Sequence, residues 1–160
     1  MSNSIKHLIN QFNLQTRLFK NVTQEVTEAN ANKAMNENTN HMAWLVGHTV
    51  STRFMLAGAL GLKVQEPFAS FFENGKGIDR TAKYPSMKEL IADWNSISEK
   101  ITAVLAGLSE EAINTKMPRP VPTGEALGDF ISFIMHHEAY TIGQLGIYRR
   151  FYGMEAMKYN

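Results

Sequence analysis

The sequence contains no cysteine. That excludes a disulfide scaffold, a Cys-ligated zinc site and a thiol nucleophile supplied by the chain itself. It also fits a reducing compartment. No run of 18 apolar residues occurs, so no membrane-spanning helix is expected. The opening stretch MSNSIKHLINQFNLQ is amphipathic and lacks the apolar core of a signal peptide. Together these features predict a cytoplasmic protein with no membrane partner. A dominant charge sign is missing as well: 16 Lys and Arg stand against 15 Asp and Glu, a net +1. A surface without a one-signed field is poorly suited to long nucleic-acid tracts, and no nucleic-acid partner is expected. Internal repeats, low-complexity tracts and strand-like alternation are also lacking.

What remains is ordinary globular material. The chain has 160 residues, with 44% apolar and 19% charged, which predicts a single domain over 1–160. A chain of this size buries about two-thirds of its surface on folding, enough for one sizeable core without staples.

The periodicity is helical. Ile5, Leu8, Phe12, Phe19 and Val22 form one stripe, flanked by Ile9 and interrupted by Gln15, and predict a first helix over 4–22. An Asn-rich connection follows, after which Thr39 or Asn40 can cap a second helix over 39–61. His41, Trp44, Leu45, His48, Thr52 and Met55 share a face there, and Gly61 is the stop. Residues 62–85 read as a long crossover whose Phe68, Phe71 and Phe72 pack back on the helices. Ser86 and Glu89 have capping-box spacing. They open a third helix over 86–108, striped by Met87, Leu90, Trp94, Ile97, Ile101, Leu105 and Leu108. Pro118, Pro120 and Pro122 forbid a helix through the next segment, which reads as a loop. A fourth helix is expected over 124–152, with Leu127, Phe130, Ile134, His137, Thr141, Gln144 and Tyr148 on one face and Gly153 as C-cap. Arg149 and Arg150 fall in its last turn, where the helix dipole favours cations. Four helices without a sheet predict an all-α four-helix bundle.

The second and fourth helices each carry a histidine on the apolar stripe. His48 lies between Leu45 and Thr52, and His137 between Ile134 and Thr141. A histidine in that position is either a satisfied core residue or a ligand. Two of them on helices that can face each other admit a shared metal or substrate. His136 is about 100° round the helix from His137. His41 is about 10 Å along the axis from His48, and His7 has polar neighbours. The run HEAYT, His137 to Thr141, departs from the HExxH zinc motif by having Thr141 in place of the second histidine. A neutral hydroxyl is a poor ligand for Zn²⁺, so the metalloprotease reading fails. The carboxylate di-iron reading fails as well, because no Glu-x-x-His occurs. Trp44, Phe130, Tyr140 and Tyr148 are either pocket or core residues, and Gln144 is either a ligand-binding amide or a buried one.

HMAWLVGHTVSTRFML and, about ninety residues later, HHEAYTIGQLGIYRRF resemble the DinB/YfiT-like superfamily. The resemblance implies an up-up-down-down type four-helix bundle with a longer crossover between helices two and three. It implies a divalent metal, Zn or Ni, held by one histidine from helix two and two from helix four. His48 and His137 match the first two ligands, Thr141 stands in the third ligand position, and Gly143 and Gln144 match the Gly-Gln that follows. The activities implied are transfer or isomerisation with a low-molecular-weight thiol, or hydrolysis. A metal that lowers the pKa of a bound thiol makes a protein cysteine unnecessary. The competing reading is a non-catalytic, metal-poor, stress-related bundle that binds a small molecule or acts as a dimer. Homodimerisation is expected, with Phe151, Tyr152 and Tyr159 as interface candidates.

Overall fold

Four long helices form where apolar residues recur at spacings of three and four. The computed structural model describes residues 2–159 and all their side chains except that of Asn74. The long helices are α1 (Asn3–Thr23), α3 (Met42–Ala59), α5 (Met87–Leu105) and α7 (Leu127–Phe151). Short helices α2 (Glu28–Ala31), α4 (Ala69–Phe72) and α6 (Glu110–Ile113) sit in the connections, and a 3₁₀ turn follows α4 at Glu73–Gly75. The long helices close a ring in which α1 and α3 each pack mainly on α5 and α7. Consecutive helices α1 and α3 therefore lie diagonally. Among the described residues, no helix is long and apolar enough to cross a membrane.

The helix ends follow local chemistry. Ser86 Oγ accepts from Glu89 N while the Glu89 carboxylate accepts from Ser86 N at 2.9 Å, so two otherwise orphaned donors at the start of α5 are satisfied. Gly61 and Gly153 take positive φ of 82° and 73° at the ends of α3 and α7, where a side chain would be strained. At the start of α3 the expectation is corrected. The cap is His41, whose Nδ1 accepts from Trp44 N at 3.0 Å. Thr39 instead accepts from Asn36 N, and the carbonyl of Asn40 accepts from Tyr148.

The segment read as a loop contains a two-stranded antiparallel ribbon, β1 (Lys116–Val121) with β2 (Gly124–Ala126). The fourth helix accordingly starts at Leu127 rather than near 124. Prolines forbid a helix but not an edge strand. Pro118 and Pro120 are two residues apart and present their nitrogens to the same side, so a single partner strand can pair with the other. Register runs from Lys116 opposite Ala126 to Val121 opposite Gly124, with an irregularity between. Asp129 then accepts from Ala126 N at 2.9 Å and starts α7.

The core has two parts, one around Phe19, Trp44, Leu90 and Leu145 and one around Phe12, Leu56, Ile101 and Ile131. Between them lies a polar knot. Arg53 and Glu138 are both fully buried. The Arg53 guanidinium donates to Glu138 at 2.8 and 2.9 Å, to Thr16 at 2.8 Å and to Ser98 at 2.6 Å. It also lies over the rings of Phe12 and Trp94, 4.1 and 3.6 Å from their centroids. One side chain thus touches all four long helices. Arg149 is buried rather than merely facing the dipole, and donates to the carbonyls of Val22, Gln24 and Glu155. The expected core position of Met55 is also corrected: that side chain is exposed. The crossover behaves as expected, with Phe72 buried and Phe68 and Phe71 packed beside it.

Candidate functional site

His48 projects from the middle of α3 and His137 from the middle of α7, helices that pack directly on one another. Their Nε2 atoms are 3.0 Å apart. The rings meet nearly edge to face, with centroids 4.9 Å apart and planes at 69°. Trp44 stacks on the other side chain of α3, with its ring 4.8 Å from that of His48 and nearly parallel to it. The spacing of Trp44 and His48, one turn apart on the same helix face, produces that stack.

Both imidazoles are neutral near pH 7. Burial, and then the neighbouring His137, lower the pKa of His48 to about 4. Burial, and then His136, lower that of His137. A contact of 3.0 Å between neutral rings is an N–H···N hydrogen bond in which one Nε2 carries the proton. His137 Nδ1 is buried and has no partner. A bare acceptor is the less costly orphan, which assigns the shared proton to His137 Nε2 and leaves His48 Nε2 as acceptor.

A cavity of about 230 Å³ opens beside the pair. Trp44, Tyr140, Thr141 and Gln144 line it together with both histidines, and Asn40 and Leu45 complete the wall. Six of the eight candidate site residues are therefore brought together. Of the other two, Tyr148 is drawn away. It lines an adjoining cavity of about 290 Å³ with Gln144 and Ile147, and its hydroxyl is engaged by Asn40 O and Met35 N. Phe130 is buried in the second core cluster. His7 and His136 are exposed, and His41 is spent as a helix cap.

The donor set fits two positions of a divalent ion. Two nitrogens each about 2.1 Å from one ion lie roughly 3.0–3.4 Å apart, close to the separation of the two Nε2 atoms. The third position does not fit. Thr141 offers a hydroxyl that donates to His137 O at 3.1 Å. Among the described residues there is no group of three His, Cys, Asp or Glu that could hold a metal. An ion on His137 Nε2 would also move the proton to Nδ1, where it would be buried without an acceptor, whereas ligating histidines normally donate from that nitrogen.

The polar knot was not anticipated. Glu138 directly follows His137, and Arg53 lies five residues after His48. The pair fixes α3 and α7 relative to each other next to the histidines. Each charge stands one residue past a stripe position, Arg53 after Thr52 and Glu138 after His137, so the stripes carry no signal for the pair.

No curated protein matches the chain. Residues 11–145 match the DinB superfamily, a span that includes α3 and α5 whole, α1 without its first eight residues and α7 without its last six. With a helical bundle, a histidine on each of two facing helices and a match across most of its length, the chain belongs to the DinB superfamily.

Proposed function

We propose that the α3–α7 pocket binds a small molecule at the His48–His137 pair and holds a divalent ion, Zn²⁺ or Ni²⁺, only loosely. The observation that carries this reading is the 3.0 Å approach of the two Nε2 atoms at the edge of a cavity. By the resemblance, the small molecule is a low-molecular-weight thiol or a hydrolysable compound; the cysteine-free composition supports a cytoplasmic location. A bound ion would lower the pKa of the thiol or of a water. The chain's own residues orient and exclude: Trp44 holds the His48 ring by stacking, Gln144 presents an amide to the pocket, and Tyr140 stands at the mouth.

A second reading is a metal-poor bundle in which the neutral imidazole pair itself hydrogen-bonds the ligand. The occupied hydroxyl of Thr141 and the orphaned Nδ1 of His137 favour it. Exposed Tyr140, Ile147 and Phe151 on α7, with Tyr159, support the further proposal of a homodimer, in which Tyr152 flanks the interface. Sedimentation at micromolar concentration giving a monomer mass would remove it.

The deciding experiment titrates Zn²⁺ and Ni²⁺ into the untagged protein and into Thr141→His, following the unfolding midpoint. Binding to the folded state raises the midpoint by mass action. A small rise in the natural protein and a much larger one in Thr141→His are expected. Tight binding of one equivalent by the natural protein would mean another side chain completes the site. No gain in Thr141→His would mean the helices do not present a metal site, leaving the second reading.

A further inference from the structure

His48 borders two cavities. Besides the α3–α7 pocket, it lines a larger one of about 480 Å³ between α3 and the crossover, within the size range of small-molecule sites. Ser51 and Met55 of α3 form one wall, and Val64, Glu66, Phe72 and Glu73 of the crossover the other. Met55 is 52% exposed although it borders this concavity, so the chain leaves a large apolar side chain there uncovered. No Lys or Arg lines the cavity, while two carboxylates do.

Glu66 is half-buried, and Ser51 lines the same cavity from α3. Burial raises its pKa, and the like charges of Glu73 and Asp93 push the same way. Among the described residues, no Lys or Arg forms an ion pair with Glu66 or Glu73. Carboxylates gathered at an apolar cavity without a cation are uncompensated, and a ligand cation would relieve both the repulsion and the desolvation. A carboxylate or phosphate ligand would meet like charge there.

We propose that this cavity binds an organic amine with an apolar body, its ammonium group beside Glu66 and Glu73 and its apolar part against Met55, Val64 and Phe72. Phe72 also packs edge-on to Trp44, with ring centroids 6.4 Å apart, and Trp44 stacks on His48. The wall of the amine cavity and the wall of the imidazole pocket are therefore one continuous set of rings. The proposal requires no metal and stands whether or not the ion reading above holds.

The test uses the full chain in the presence of EDTA, with the methionine methyl groups observed by NMR. Phenethylamine is the probe, and 3-phenylpropionate, of similar size and opposite charge, is the control. A saturable shift of the Met55 methyl is expected with phenethylamine, together with at least tenfold weaker binding of 3-phenylpropionate. Glu66→Gln should weaken amine binding at least fivefold. Glu73→Gln, a change at an exposed residue that leaves the fold intact, should weaken it to a smaller extent. Equal affinity for the two probes, no saturable shift at millimolar amine, or full amine affinity in both variants would overturn the proposal. Because EDTA removes divalent ions, none of these outcomes bears on metal binding at His48 and His137.

Discussion

Arg53 and Glu138 meet in two parallel hydrogen bonds, at 2.8 and 2.9 Å, with neither side chain exposed to solvent. Burial alone pushes the Glu138 carboxyl up, and the guanidinium opposes that. The pair ties α3 to α7 one position from His137. It therefore sets the rotation of both helices about the contact between the two histidines.

Removing one partner should be far worse than removing both. Glu138→Leu leaves a guanidinium buried without its counter-charge and should cost about 3–5 kcal/mol. Arg53→Met combined with Glu138→Leu should recover most of that loss, because an apolar pair of similar volume carries no desolvation penalty. Thr16 and Ser98 keep their backbone acceptors in the double variant. Urea unfolding of the three proteins checks this, and a double variant no more stable than the single one would refute it.

The metal-free protein should lose stability as pH falls from about 6.5 toward 4. His48 titrates near 4 when folded, and His137 is lowered as well, whereas both take their ordinary value of about 6.5 when unfolded. At these two sites the unfolded chain binds more protons in this window, so their contribution to stability rises with pH across it, while carboxyls raised by burial, such as Glu66 and Asp93, contribute the opposite slope. His48→Gln should flatten the upper part of the profile. Carboxylates with lowered pKa values, such as Glu89, act only below the ordinary glutamate range. Denaturant midpoints measured in EDTA every half unit of pH would reveal the difference.

Gly47→Ala should destabilise the protein even though alanine is the better helix former. A Cβ at Gly47 would lie 2.2 Å from Phe72 Cζ. The ring must leave its seat on α3, and overpacking of this kind costs about 1–3 kcal/mol. The expected signature is a changed Trp44 environment in near-ultraviolet circular dichroism, since Phe72 packs against Trp44. Gly47→Ala combined with Phe72→Leu should restore part of the stability.

Ser86→Ala should cost about 1 kcal/mol through loss of the α5 N-cap. Glu89 would lose the hydroxyl partner that lowers its pKa. NMR titration of Glu89 in the variant should show its pKa rising back toward the ordinary carboxylate range.

The four helices were legible because their stripes are long and their stops chemically explicit, as at Gly61, Gly153 and Ser86–Glu89. The histidine pair was legible for the same reason, since a stripe position on each of two facing helices leaves little freedom. The buried charges were not. α3 is buried on nearly every side, so a single-stripe reading could not separate an inward Arg53 from an outward Met55. The ribbon is hidden from a rule that treats proline only as a helix breaker, because a two-residue spacing of prolines is what an edge strand tolerates. The cap at His41 was missed because an imidazole nitrogen can replace the hydroxyl or amide oxygen usual at that position.

The diagonal placement of α1 and α3 has a consequence for the order of events in synthesis. The apolar face of α1, with Ile5, Phe12, Phe19 and Val22, has its chief helical partners in α5 and α7. Neither exists until residue 87 and beyond has been made. At about 5–20 residues per second, α1 stays without them for several seconds after it emerges. The nascent chain thus carries an exposed apolar stripe that its next long helix does not cover, and its cover is complete only when α7 has joined α5.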